Sequence, residues 1–136
     1  MDIAHLYRRW LLELWQGDFA LAKELVTAGF VGHWPHGDVR GPDGLAEALR
    51  QGHEPFSDVV VTLDVGPLVD GDLVAARWTF AGKYRGGLPG VAAPVGTPIS
   101  FSGHDILRAE GDRFAEYWVV SDAEGLSRQL ADIASQ

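Results

Sequence analysis

Apolar residues recur at helical spacing near the N-terminus and alternate with polar residues through most of the second half of the chain. The stripe over residues 2–16 follows i, i+3, i+4 and i+7 spacing, which predicts a helix that Asp2 caps and Gly17 ends. The same criteria predict further helices over residues 19–27, 43–52 and 123–133. Period-two alternation and turn residues predict strands over residues 30–35, 58–65, 73–84, 98–108 and 114–122, and a loop over 36–42. Helices followed by a mostly antiparallel sheet favour an α+β domain, with the curved sheet wrapped around the helices as a cone.

The last two predicted strands should pair as an antiparallel hairpin, because a short Gly-containing turn joins them. Side chains alternate across a strand, so each strand has one row of polar and mixed residues and one apolar row. We expect the first row to face the interior, which would bring His104 and Asp122 together beside Trp118. The members of this row are Ser100, Ser102, His104 and Ile106, and, on the partner strand, Glu116, Trp118, Val120 and Asp122.

The opposite row of the hairpin is expected on the outside of the sheet. It contains Phe101, Leu107, Tyr117 and Val119. Such a face is too apolar for solvent, so it predicts a homodimer or a higher homo-oligomer.

The composition of the chain excludes some kinds of protein and partner and favours others. The 136 residues suit one domain spanning 1–136, and the absence of cysteine excludes a disulfide. A net charge of −8 argues against a nucleic-acid partner. Neither a secretory signal nor a membrane-spanning run is present in the sequence, which predicts a cytoplasmic protein with no membrane partner. Five tryptophans in so short a chain favour an aromatic pocket for a small hydrophobic ligand.

Asp122 and His104 are the candidate catalytic residues. A carboxylate buried against an indole has a raised pKa, and a nearby His can lower it again, which suits general acid–base chemistry. The alternative for Asp122 is a helix N-cap, and for His104 a hydrogen-bonded structural role. His33 is expected at a pocket mouth, and His36 and His53 in solvated loops. No metal site is predicted, since zinc needs three or four ligands.

Five short stretches resemble the SnoaL-like polyketide cyclase family, whose fold is that of nuclear transport factor 2. They are RGPDG at 40–44, DGDLVAARWT at 70–79, SFSGHDILR at 100–108, EYWVVSD at 116–122 and GLSRQL at 125–130. Two stretches depart from the family pattern, at 82–84 and 94–96.

The resemblance implies a cofactor-independent intramolecular aldol condensation that closes a ring of a polyketide, with Asp122 as the acid–base group and His104 assisting. Such an enzyme would belong to antibiotic or other secondary metabolism. The expected substrate-binding residues are His33, Trp15, Trp78, Phe80, Tyr84, Ser102 and Trp118. Two alternatives remain open: an epoxide hydrolase or isomerase on the same fold, which would use Asp105 together with Asp122, and a non-catalytic binding or self-resistance protein.

Overall fold

The computed structural model describes residues 2–122 together with Gly125, Leu126, Arg128 and Leu130. Over these residues, three α-helices and a curved, unclosed six-stranded sheet form the predicted mixed α+β fold. The helices are α1 (Ile3–Arg9, continued by a π-helical turn over Trp10–Leu14), α2 (Ala22–Leu25, preceded by a 3₁₀ turn over Phe19–Leu21) and α3 (Gly41–His53). The strands are β1 (Val26–Trp34), β2 (Gly37–Arg40), β3 (Phe56–Asp70), β4 (Leu73–Tyr84), β5 (Pro98–Glu110) and β6 (Arg113–Ser121). None of the helices described is both long and apolar enough to cross a membrane.

The helix boundaries have local causes that the sequence contains. Asp2 caps α1 as predicted, because its Oδ1 accepts a hydrogen bond from the His5 N–H at 3.2 Å. Pro42 occupies the first turn of α3, where a missing N–H costs nothing. The predicted helix over 123–133 falls mostly outside the described residues, although the four described residues beyond Asp122 are helical.

The sheet has the strand order β2-β1-β6-β5-β4-β3, in which β1 and β6 run parallel and all other neighbours are antiparallel. The β5–β6 hairpin is confirmed, with Gly111 at a φ of 65° in its turn. The predicted loop over 36–42 is wrong, because Gly37–Arg40 pairs with the end of β1 as a short edge strand. Nothing in its four residues alternates strongly enough to reveal a strand from sequence.

The faces of β5 and β6 lie on the opposite sides of the sheet from those predicted. Leu107 and Tyr117 are fully buried and Val119 is 7% exposed, whereas Trp118 is 38% and Val120 66% exposed. Burying the row of larger apolar side chains removes more apolar surface from water, so that row forms the core. The row expected inside therefore faces outward, and the apolar row expected to form a dimer surface is part of the core.

A buried carboxyl group ties α1 to the middle of the sheet. Asp105, which is 1% exposed, accepts hydrogen bonds from the Tyr7 hydroxyl at 2.9 Å, the Tyr117 hydroxyl at 2.7 Å and the Trp78 Nε1 at 2.9 Å. The Trp10 Nε1 lies near the same carboxyl group without hydrogen-bonding geometry. We call Asp105, Tyr7, Trp78 and Tyr117 the Asp105 cluster; it joins a helix and three strands.

Burial raises the pKa of Asp105 to about 6, although the hydrogen bonds from Tyr117, Trp78 and Tyr7 oppose that rise. The folded state therefore binds a proton at this carboxyl more readily than the unfolded chain does. The resulting stabilisation is complete below about pH 4 and is lost as the pH rises through about 6.

We predict that two substitutions of Asp105 will distinguish the effect of its hydrogen bonds on stability from the effect of its charge. In Asp105→Asn the amide oxygen can still accept from Trp78 and Tyr117, and the amide N–H can donate to the Tyr7 oxygen. As the pH rises from 4 to 7, the unfolding free energy of this variant should increase by about 2 kcal/mol relative to that of the wild type, because the variant has no charge to bury. Asp105→Leu should lose about 3 kcal/mol or more relative to the wild type at pH 4, since three donors lose their acceptor. This deficit should be smaller at pH 7, where the wild type is itself destabilised by its buried charge.

Urea denaturation of both variants and the wild type at the two pH values tests this prediction. A wild-type-like pH dependence in Asp105→Asn would contradict the assignment of the titration to Asp105.

Candidate active site

A cavity of about 390 Å³ lies between the inner face of the sheet and α3. Most of its described lining is apolar or aromatic, which suits a small apolar ligand. The lining residues are Trp15, Trp34, His36, Val39, Ala48, Leu49, Gln51, Gly52, His53, Trp78, Phe80, Phe101, Val119 and Ser121. We call this space the interior cavity.

Aromatic rings form one continuous wall of the interior cavity. Trp15 and Trp78 stack with centroids 6.2 Å apart, Trp78 meets Phe101 edge-on at 5.8 Å, and Phe80 stacks on Phe101 at 5.0 Å. The Trp78 indole crosses β5 directly over Gly103, where a Cβ atom would overlap the ring. Gly103 therefore makes room for Trp78 to reach both the cavity and Asp105.

Two histidines are the titratable side chains among the described residues that line the cavity. His53 has Nδ1 2.9 Å from the Leu49 carbonyl oxygen and Nε2 2.6 Å from the Trp15 carbonyl oxygen. Both ring nitrogens thus face backbone acceptors, and the ring serves to join α3 to the end of the first helix. His36 lies in the turn between β1 and β2, at the exposed edge of the cavity.

Three of the predicted substrate-binding residues, Trp15, Trp78 and Phe80, line the interior cavity. Their contact with substrate stays a prediction. The structure gives them a shared surface that a planar ligand could cover.

The predicted interior cavity containing both Asp122 and His104 is wrong. These residues do line one common hollow of about 450 Å³, but it lies on the outer face of the sheet with Arg77 and Ser102. The His104 Nε2 is 3.5 Å from Arg77 Nη1, and the ring is exposed. Asp122 is also exposed and accepts a hydrogen bond from the Gly125 N–H at 2.8 Å, which is the capping alternative recognised from the sequence.

His33 and Trp118 also lie on the outer face and away from the cavity. The His33 Nε2 is 2.8 Å from Glu116 Oε2, its Nδ1 is 3.0 Å from Asp38 Oδ1, and its ring stacks on Trp118 at 5.7 Å. Hydrogen bonds to Glu116 and Asp38 raise the pKa of His33, and the bond from His33 lowers that of Glu116. The predicted position of His33 at a pocket mouth is therefore wrong; that position belongs to His36.

Ser102 and Tyr84 do not contact the interior cavity either. Ser102 lies in the outer hollow, with its Oγ 3.1 Å from the Thr79 Oγ1. Tyr84 is 1% exposed, and its hydroxyl accepts a hydrogen bond from the Leu88 N–H at 3.0 Å. Tyr84 therefore anchors the loop between β4 and β5.

Sequence reasoning missed several cavity residues for identifiable reasons. His53 continues the helical spacing of Leu45 and Leu49, which indicates an inward position and not a solvated loop. Phe101 and Val119 were placed on the outer face together with the rest of their row. A comparison of the apolar volume of the two rows would have placed both correctly.

The described residues contain no group of three or more His, Asp or Glu side chains arranged to hold a metal ion.

Comparisons with known proteins place this architecture in a family. The model of the SnoaL-like polyketide cyclases matches residues 5–130, most of the chain. Among curated protein sequences, none matches. TsrD from Streptomyces laurentii is 30% identical, with a TM-score of 0.79 and coverage of 96% of this chain and 97% of TsrD.

Two further solved structures share the fold at lower identity. A candidate polyketide cyclase from Acidithiobacillus ferrooxidans is 22% identical, with a TM-score of 0.84 and coverage of 98% of this chain and 99% of its own. IdmH, a candidate polyketide cyclase from Streptomyces antibioticus, is 24% identical, with a TM-score of 0.82 and coverage of 96% and 99%. With its inner cavity, its sheet order and a family match over nearly its whole length, the chain belongs to the SnoaL-like polyketide cyclase family.

Proposed function

We propose that this protein is a cofactor-independent cyclase that folds a small apolar polyketide-like substrate in the interior cavity and closes a ring by intramolecular aldol addition. The observation that carries the proposal is the aromatic-walled cavity of about 390 Å³, whose described lining is mostly apolar and includes two imidazoles. This volume falls within the range of small-molecule sites.

The reaction needs a proton to leave a carbon between two carbonyl groups and another to reach the new alkoxide. The enolate formed first attacks a second carbonyl carbon of the same molecule, which makes the carbon–carbon bond. Held against Trp15, Trp78 and Phe101, a flexible substrate would lose the conformations in which these carbons are apart. No change of oxidation state is required, so the substrate and one acid–base group suffice.

His36 is our candidate for that acid–base group. Imidazole exchanges protons near neutral pH, and His36 lies at the edge of the cavity. His53 is less suited, since both of its nitrogens face backbone carbonyl oxygens. His104 and Asp122 lie across the sheet from the cavity, so an enclosed substrate would not reach them.

One observation favours a second candidate function. Among the described residues that line the interior cavity, none is an Asp or a Glu. A protein that binds and sequesters an apolar metabolite needs no acid–base group, so binding without turnover is the alternative. This function would show tight binding of a polyketide-like aromatic compound that is recovered unchanged.

The outer face of the sheet is our candidate for a homodimer interface, in place of the buried row assigned from the sequence. It carries an exposed apolar group of side chains that would be costly to leave in water. Its members are Leu68 (61% exposed), Leu73 (40%), Ile106 (47%), Trp118 (38%) and Val120 (66%).

His36→Gln should lower turnover about 10²- to 10⁴-fold if His36 is the acid–base group. The assay follows an aromatic compound whose 1,3-diketone side chain can attack a ring ketone; chromatography with mass detection separates the cyclised isomer, which has unchanged mass. A non-cyclisable analogue should bind the variant as it binds the wild type, because the cavity wall is intact.

His104→Gln and Asp122→Asn are the matched controls, and both should retain turnover within about three-fold. Loss of activity in these variants with full activity in His36→Gln would move the chemistry to the outer hollow. No turnover by the wild type, together with tight binding of the analogue, would support sequestration.

Ile106→Asp should weaken the proposed dimer about 100-fold, because it would place a carboxylate between Ala75 and Trp118, in an apolar part of the interface. Sedimentation velocity over a range of concentrations measures the effect. Val95→Asp, at an exposed position in the loop between β4 and β5, should leave the dimer intact. A monomeric wild type would contradict this assignment.

A further inference from the structure

Asp105 is a buried ionisable group that the proposed reaction does not use. It does not line the interior cavity, and its carboxyl group is covered on the cavity side by the Trp78 indole. Trp78 is thus shared: its Nε1 belongs to the Asp105 cluster, and its ring forms part of the cavity wall. A change at Asp105 can therefore reach the cavity through Trp78, which belongs to both.

Protonation of Asp105 would affect the hydrogen bonds to its two carboxyl oxygens differently. Oδ1 accepts from both Trp78 Nε1 and the Tyr117 hydroxyl, whereas Oδ2 accepts from the Tyr7 hydroxyl alone. An indole N–H cannot accept a hydrogen bond, so a proton on Oδ1 would oppose Trp78 directly. A proton on Oδ2 is compatible, because the Tyr7 hydroxyl can rotate and accept it.

Protonation on Oδ2 leaves Trp78 bound to a neutral carbonyl oxygen. Hydrogen bonds to a charged acceptor are roughly twice as strong as those to a neutral one. The Trp78 indole is then held less strongly by Asp105, and the space beside its ring is the interior cavity. On the β5 side the ring packs directly against the Gly103 backbone, so the cavity is the side on which the ring has space.

We propose that Asp105 is a positioning residue for the interior cavity, whose carboxylate fixes the Trp78 indole as part of the cavity wall so that ligand affinity falls when Asp105 takes up a proton. This inference rests on the proposed function only in taking the cavity as the ligand site. The ligand class is a flat, apolar aromatic compound that stacks on Trp78 and Trp15.

The groups that face Asp105 are few, so its titration can be isolated. Tyr7 from α1 and Tyr117 from β6 are the titratable neighbours, and burial raises the pKa of both. Trp10 and Trp78 carry no charge. His36 and His53 line the cavity, so the binding experiment needs control variants of both.

The first experiment observes Trp78 directly, by fluorine NMR of the full chain labelled with 5-fluorotryptophan. The Trp78 resonance, identified by its loss in Trp78→Phe, should shift with a midpoint near pH 6, as the pKa of Asp105 of about 6 requires. In Asp105→Asn the shift should be absent. In Tyr7→Phe the midpoint should move to higher pH, because the ionised carboxylate loses one hydrogen bond.

The second experiment measures binding of 2-naphthol by fluorescence between pH 5 and pH 8. Wild-type affinity should be about five-fold lower at pH 5 than at pH 8, whereas Asp105→Asn and Trp78→Phe should show no such change. The pH dependence should persist in His36→Gln and in His53→Gln.

Each outcome decides a different point. A Trp78 resonance that does not titrate, or a pH dependence of binding that survives in Asp105→Asn, would overturn the role of Asp105. Failure of 2-naphthol to bind at every pH would instead contradict the interior cavity as the ligand site, and a titrating Trp78 resonance would still support the hold of Asp105 on the indole. If Asp105→Asn lost stability equally at every pH and left the midpoint of the Trp78 resonance unchanged, Asp105 would be a merely structural residue.

Discussion

The hydrogen bonds to Asp105 fix the relation between the first helix and the sheet. One carboxyl group on β5 accepts from Tyr7 on α1, Trp78 on β4 and Tyr117 on β6. Each donor is buried, so moving any of these elements would leave a polar group without a partner in an apolar core. The same contact sets the place of Trp78, and the interior cavity begins at the far side of that ring.

The two faces of the sheet differ in the side chains that they carry. The inner face carries large apolar side chains and the buried carboxyl group of Asp105, which accepts three hydrogen bonds, and its cavity is lined largely by aromatic rings. The outer face carries charged residues together with exposed apolar ones such as Val120 and Ile106. Among the described residues that line the cavity, the imidazoles are those of His36 and His53, whereas His104 on β5 lies on the outer face.

Much of the fold follows from the sequence, because its periodicities are strong. The range of β4, the cap of α1 and the β5–β6 hairpin all agree with their patterns. The alternation of apolar and polar residues identifies which side chains share a face of the sheet, but not which face is buried. Whether His104 and Asp122 face inward therefore depends on which of the two rows on β5 and β6 has the larger apolar side chains. The Asp105 cluster could not be predicted from the sequence. Trp78 is 27 residues and Tyr7 98 residues from Asp105, and Tyr117 lies on the other strand of the hairpin. Only the three-dimensional fold brings these side chains together.

The outer ion network does not touch the cavity, but it links the two strands on either side of the turn that carries His36. His33 joins β2, through Asp38, to β6, through Glu116, and Arg108 approaches the same glutamate at 3.5 Å. The turn between β1 and β2 carries His36, so these contacts hold the hairpin that places the candidate acid–base group at the cavity edge. Hydrogen bonds to the two carboxylates raise the pKa of His33, which favours the protonated ring that can donate to both. His33, expected at a pocket mouth, thus lies outside the cavity and helps to fix β2, the strand that follows His36.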